Sequence, residues 1–292
     1  MRSWFKIFFT LSIFGLGVSF LLLYRIESQD VVKKLKSNIS THNTHNSVKK
    51  IISKNGISIF CIILTHSGSL DFKAPVTYEA WLNKCDDYRF LTLLPNNLNK
   101  SIIESPYEVK YKYNLSESAK DDAFFNDYKQ KFEYIKLLKP PGLVNDVYDK
   151  LTDKIYLGYK HIFKNYGNYD WYLKCDDDTF VYYDNLLRFL KDKNKTEAVS
   201  YGRLVGDYAD GFLSGGGGYV MSQESFGRLA SQLIHNESFC PNSGAEDVNV
   251  SQCLHKLKSR IGKSTDDSNK CRFHSNHLFT VYPSEYVSLI LK

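Results

Sequence analysis

The stretch Asp170-Trp171-Tyr172-Leu173-Lys174-Cys175-Asp176-Asp177-Asp178 decides how this chain is read. An apolar run of strand type ends in three consecutive carboxylates. Such carboxylates repel one another unless a cation sits among them. Hard cations such as Mg²⁺ and Mn²⁺ take oxygen ligands. If the chain stays extended, Asp176 and Asp178 point to one face and Asp177 to the other, so one face can hold a metal while the other touches a ligand. An isolated Asp triplet also serves as a surface turn and helix cap. Its position at a strand end, where open α/β sheets take their ligands, favours a metal–ligand site.

Working outward, strands alternate with helices. Residues 57–64 form a buried strand ended by Thr65-His66-Ser67-Gly68. Residues 78–82 read as helix. Residues 88–94 read as a second strand stopped by Pro95, and 96–142 as an irregular, polar segment closed by Pro140-Pro141-Gly142. Val147, Leu151, Ile155, Tyr159 and Ile162 recur at helical spacing within 144–163. Beyond the triplet, 184–190 is a helix and 198–204 a strand. This alternation predicts a largely parallel α/β sheet. The run Gly215-Gly216-Gly217-Gly218 lies between apolar residues, which argues for a packed turn rather than a linker. Ser222 caps a following helix. Glu246-Asp247 opens another, where a carboxylate pair is either a dipole-stabilising first turn or the source of a general base. His274 is an imidazole that can complete a Mn²⁺ shell begun by carboxylates. No phosphate-binding loop, dinucleotide fingerprint or internal repeat is found.

The N-terminus carries an apolar, uncharged run over 7–24, long enough for a bilayer core. Arg2 and Lys6 precede it, which predicts a cytosolic tail (1–6) and an uncleaved signal anchor. Residues 25–55 are polar and read as a stem, and 56–292 as one lumenal domain. Sequons at Asn38, Asn99, Asn114, Asn194, Asn236 and Asn249, together with six cysteines, suit an oxidising, glycosylating compartment. The net charge of +6 is spread along the chain without an arginine stripe, which excludes nucleic acid as a partner and suits an anionic nucleotide.

In combination these segments resemble the β1,3-glycosyltransferases, and within them the core 1 β1,3-galactosyltransferase branch. The resemblance rests on the stretch 170–178, on Ser214 to Val220, on Glu246-Asp247-Val248 with Cys253, and on Phe273-His274. It also rests on Tyr148 to Lys154 and on Trp81-Leu-Asn-Lys-Cys85. It runs from about Ile57 to Ser275, with the motifs in the family's order. It implies a GT-A fold, a Rossmann-like mixed sheet flanked by helices, behind a transmembrane anchor in the Golgi membrane. It further implies Mn²⁺ as cofactor, UDP-galactose as donor, and O-linked GalNAc on glycoproteins as acceptor. Asp178 and His274 would hold the metal, with Asp176 at its edge. Asp176, Asp177, Thr65, Lys154, Gly216 and Gly217 would line the donor. Asp247, or else Glu246, would be the base. The family pattern implies the disulfides Cys61–Cys85 and Cys240–Cys253. Cys175 and Cys271 are left either as a third bridge or as two buried thiols. It allows a homodimer. A fringe-like N-acetylglucosaminyltransferase would share every motif, a non-catalytic lumenal chaperone could keep the fold without the metal carboxylates, and a metal-stabilised lectin-like protein would bind sugar but release no UDP.

Overall fold

The computed structural model describes residues 53, 56–96, 98, 101–113, 134–206 and 211–275. The expected anchor over 7–24, the stem apart from Ser53, and the sequons at Asn38, Asn99 and Asn114 lie outside the described residues. Among the described residues no helix is long and apolar enough to cross a membrane.

Strand β1 (Ile59–Leu64) is the central strand of the main sheet. Every residue in it is buried, as expected of a strand covered on both faces. It pairs in parallel with β2 (Asp87–Leu91) on one side and with β6 (Trp171–Asp176) on the other. The sheet has nine strands in the order β11-β7-β10-β6-β1-β2-β5-β4-β3. The remaining members are β3 (Ile102–Ile103), β4 (Glu108–Tyr111), β5 (Ile135–Leu138), β7 (Val199–Gly202), β10 (Tyr219–Ser222) and β11 (Arg260–Ile261). Strand β10 runs antiparallel to both β6 and β7, and β4 runs antiparallel to β3 and β5. The sheet is therefore mixed, not largely parallel.

Strand parity divides the core into two layers. Ile59, Cys61 and Ile63 of β1 join Trp171, Leu173 and Cys175 of β6 in one cluster. Helices α1 (Lys73–Ala80) and α3 (Tyr183–Leu190) supply Ala74, Leu186 and Leu190 to it. Phe60, Ile62 and Leu64 face the other way with Tyr172. There they meet α2 (Leu151–Asn165), α4 (Gln223–His235) and α5 (Glu246–Lys256) through Tyr159, Phe226 and Val250. Ser222 caps α4 as expected, its hydroxyl accepting from the Ser225 N–H at 3.1 Å.

Several boundaries differ from the sequence reading, each for a physical reason. Helix α1 starts at Lys73 rather than at 78, because its face toward the triplet carries Lys73 and Thr77, which break the apolar pattern. Strand β2 ends at Leu91 because Thr92 and Leu93 turn to donate to Asp146. The same Asp146 holds 143–147 out of α2, so Val147 is exposed and the helix begins at Leu151. The segment read as irregular contains β3, β4 and β5, too short for a periodic signal. The strand read over 198–204 is two pieces: β7 in the main sheet, and β8 (Leu204–Val205), which pairs with β9 (Phe212–Leu213) in a separate ribbon.

The disulfides Cys61–Cys85 and Cys240–Cys253 form as expected. Cys175 and Cys271 carry free thiols, so the third bridge is not made. Cys271 is only half-buried and donates to the Phe273 carbonyl at 3.0 Å.

Candidate functional site

The register of β1 with β6 places Leu64 opposite Asp176, so both strands stop together. Thr65 leaves β1 there and donates its hydroxyl to Asp177 Oδ2 at 2.7 Å. Thr77 of α1 donates to the Asp177 carbonyl at 2.6 Å, and Trp81 Nε1 donates to the Thr179 carbonyl at 2.9 Å. Helix α1 thus clamps the triplet from one side. Strand β6 ends at Asp176, where Thr179 N–H closes a turn onto the Asp176 carbonyl. The extended alternation expected of the triplet is therefore broken. Asp177 and Asp178 share one side, both facing Lys73 Nζ, at 3.3 Å and 3.0 Å. Those carboxylates and their hydrogen bonds hold the Lys73 ammonium above the usual lysine range, Asp178 contributing most. Asp177 is buried, whereas the Asp178 side chain is 66% exposed.

A second layer lies beneath. Lys154 of α2 is buried, donates to the Thr65 carbonyl at 2.6 Å and pairs with Asp146. Burial pushes this lysine below its usual range, against the pull of Asp146. Asp146 also accepts from Thr92 Oγ1 and from Leu93 N–H. One buried ion pair therefore fastens the ends of β1 and β2 to the first turn of α2.

The third layer is on the α5 side. Lys174 lies on the same face of β6 as Tyr172 and is 1% exposed. Its Nζ pairs with Asp176 Oδ1 at 2.9 Å and with Glu246 Oε2 at 2.8 Å. Burial opposes the ammonium, but Glu246 and Asp176 outweigh it and hold Lys174 above the usual lysine range. Tyr219 donates to Glu246 Oε1 at 2.6 Å, and the Tyr159 and Tyr219 hydroxyls are 2.8 Å apart. Burial raises Glu246 above the ordinary carboxylate range, with Lys174 and Tyr219 pulling it back. The neighbouring Asp247 is half-buried. It accepts from the Gly215 N–H and from its own successor Val248, both at 2.9 Å.

The glycine turn joins these pieces. Gly218 has φ +71°, and a Cβ there would meet Cys175 Sγ at 2.8 Å. A Cβ on Gly217 would meet the His274 carbonyl at 3.1 Å, so the His274 segment packs against the turn. Thr179 Oγ1, next to Asp178, donates to the Gly216 carbonyl at 3.3 Å. Thr179, the residue after Asp178, and the His274 backbone therefore contact the same turn. Burial and then Arg203 lower the His274 pKa from its ordinary 6.5, which keeps a ring nitrogen unprotonated. Among the described residues no three His, Cys, Asp or Glu side chains converge on one point.

The fold places the residues singled out in the sequence in three groups, and among the described residues it does not bring Asp176, Asp178 and His274 to one point. Thr65, Lys154, Asp177 and Asp178 lie at the β1 and β6 ends; Asp176 and Glu246 meet on Lys174; Asp247 and the His274 backbone pack on the turn that contains Gly216 and Gly217. Sequence reasoning assigned no role to Lys73, Asp146, Lys174 or Tyr219. A lysine inside an otherwise apolar strand was a usable signal for Lys174. Asp146 sits in a loop and offered none.

Residues 143–211 match the family model described as Galactosyltransferase, which spans Lys154 and the triplet. The chain is also 31% identical over 232 residues to glycoprotein-N-acetylgalactosamine 3-beta-galactosyltransferase 1 of Xenopus laevis. That similarity covers 78% of this chain and 53% of the relative, so the chain spans about half the length of the curated relative it matches. The chain is thus similar to galactosyltransferases, to the family model over residues 143–211 and to this relative over most of its own length.

Proposed function

We propose that this chain is an inverting β1,3-galactosyltransferase of GT-A type that moves galactose from UDP-galactose to O3 of GalNAc on glycoproteins. The observation that carries the reading is the glycine turn, against which Asp247, the residue after Asp178 and the His274 backbone all pack. Further support comes from the 31% identical relative, whose name describes that acceptor and linkage.

In this reading Asp247 is the general base. It is half-buried beside the turn, its carboxylate oriented by the Gly215 N–H, while Glu246 is fully engaged by Lys174 and Tyr219. The acceptor hydroxyl gives its proton to Asp247 as its oxygen attacks the anomeric carbon of galactose. The bond from that carbon to the diphosphate oxygen breaks on the opposite face, UDP departs, and the α-linkage becomes β. Thr65 and Thr77 hold Asp177, and Lys154 holds the Thr65 carbonyl, so the donor-side floor is rigid before substrate arrives.

The donor set fits Mn²⁺: Asp178 is an exposed hard carboxylate, and His274 is an imidazole kept unprotonated near neutral pH. These two residues would hold the ion, with Asp176 at its edge, leaving further positions for diphosphate oxygens. When bound, Mn²⁺ supplies charge neutralisation to the departing diphosphate. With that chemistry available, the leaving group needs no protonating carboxylic acid. The proposal includes a single-pass anchor over 7–24 in the Golgi membrane and a lumenal catalytic domain, on the grounds of the apolar run and its flanking charges.

The test is UDP release by the detergent-solubilised full chain with Mn²⁺, using UDP-Gal, UDP-GalNAc, UDP-GlcNAc and UDP-Glc, with and without a GalNAc-α-Ser/Thr peptide. Peptide-stimulated release from UDP-Gal alone is expected. Release from UDP-GlcNAc instead would replace the donor with that of a fringe-like enzyme. No release from any donor would overturn the reading.

A further inference from the structure

Lys174 presents an energetic problem. It sits in the middle of the sheet with its side chain 1% exposed. A buried ion pair is a poor net stabiliser, since an apolar side chain of similar size often serves as well or better. Packing alone therefore does not call for a lysine here.

Its contacts are with the functional segments. The ammonium has three donors. One reaches Asp176 Oδ1 at 2.9 Å, in the triplet on the donor side. Another reaches Glu246 Oε2 at 2.8 Å, in the first turn of α5 immediately before Asp247. The Nζ also lies 5.7 Å from the Tyr219 ring centroid, and Tyr219 in turn donates to the same Glu246. A Cβ on Gly215 would lie 2.9 Å from Lys174 Nζ and 3.2 Å from Glu246 Oε2, so the lysine packs directly under the residue whose N–H orients Asp247. One ammonium thus touches the triplet, the glycine turn and the helix that bears the base, three segments far apart in sequence.

We infer that Lys174 is a positioning residue, with Glu246 as its anchor, whose buried ammonium sets the donor-side carboxylates and Asp247 at a fixed separation. The inference rests on the transferase reading. Single displacement requires the base and the leaving diphosphate on opposite faces of one carbon. An error of about 1 Å between them costs about 100-fold in rate. Hydrogen-bonded ionic contacts hold such a separation because each partner is directional and costly to leave unpaired.

The experiment compares the full chain with the double variant K174M/E246Q and with the single variant E246Q. K174M alone would strand two carboxylates and unfold the site. The double variant removes both charges of the buried pair, while Asp176 is 35% exposed and solvated. It is expected to melt near the wild-type temperature while its kcat falls about 100-fold. E246Q keeps the volume and the Tyr219 contact. It is expected to lose about 10-fold in kcat with the KM for UDP-Gal nearly unchanged, because Lys174 still holds Asp176. A double variant that melts normally and keeps its kcat within about threefold would overturn the inference and leave the transferase reading standing. If the double variant does not fold, E246Q decides alone: an unchanged kcat overturns the inference. A wild-type chain inactive with every donor would overturn the transferase reading, and the positioning role with it.

Discussion

At the residue scale the division of labour among the carboxylates is what matters. Asp178 is exposed and paired with Lys73, while Asp247 is oriented by Gly215. The two are expected to fail differently. Asp178→Ala should abolish Mn²⁺ binding measured by electron paramagnetic resonance, along with UDP release, and leave the circular dichroism unchanged. Asp247→Asn should retain Mn²⁺ and UDP binding while kcat falls by about 10²–10⁴. Normal turnover in either folded variant would contradict its assignment. His274 adds a pH dependence. Its folded pKa lies below 6.5, so the unfolded chain takes up this proton first on acidification. Stability contributed at this site is thus present above 6.5 and falls as pH drops through the window between the two values. Mn²⁺ affinity should likewise fall with its midpoint below 6.5; a fall centred above 6.5 would contradict a depressed His274. The carboxylates of this site were legible in sequence because charge at the end of an apolar strand is rare. Lys73 and Asp146 were not, because their partners lie far away in the chain.

At the element scale the glycine turn is the connector. Gly218 combines φ +71° with Cys175 Sγ at 2.8 Å from an added Cβ. Gly218→Ala is expected to destabilise by about 1–2 kcal/mol from the left-handed backbone alone, with more from the clash, read as a lower melting temperature. An unchanged melting temperature would mean that the turn relaxes freely. The flanking apolar residues made a packed turn legible in sequence, but not what it packs against, since Cys175 and His274 approach it only after folding. Helix α1 was misread for a related reason: its inner face carries Lys73 and Thr77, which serve the triplet rather than the core.

At the scale of the whole molecule, burial sorts the sequons. Asn194 and Asn236 are exposed. Each accepts from the hydroxyl of its own sequon, Thr196 at 2.8 Å and Ser238 at 2.7 Å. Asn249 is fully buried and donates to Thr152 Oγ1 at 2.9 Å. In a chain expressed through the secretory pathway, glycopeptide mapping should find glycan on Asn194 and Asn236 and none on Asn249. A glycan on Asn249 in folded protein would contradict its place in the core. The triplet pattern cannot make this distinction, because it is local and burial is not. The alternation of strands and helices, the motif order and the pairing of Cys61 with Cys85 and of Cys240 with Cys253 followed from the sequence and its family resemblance. Local periodicity and spacing survive in the linear chain. The antiparallel insertion of β10, the turn that puts Asp177 and Asp178 on one side, and the buried Lys174 joining Asp176 to Glu246 were decided only by tertiary structure. Each depends on which distant segments share a sheet face, and hydrogen bonds between residues 72 positions apart leave no trace in spacing.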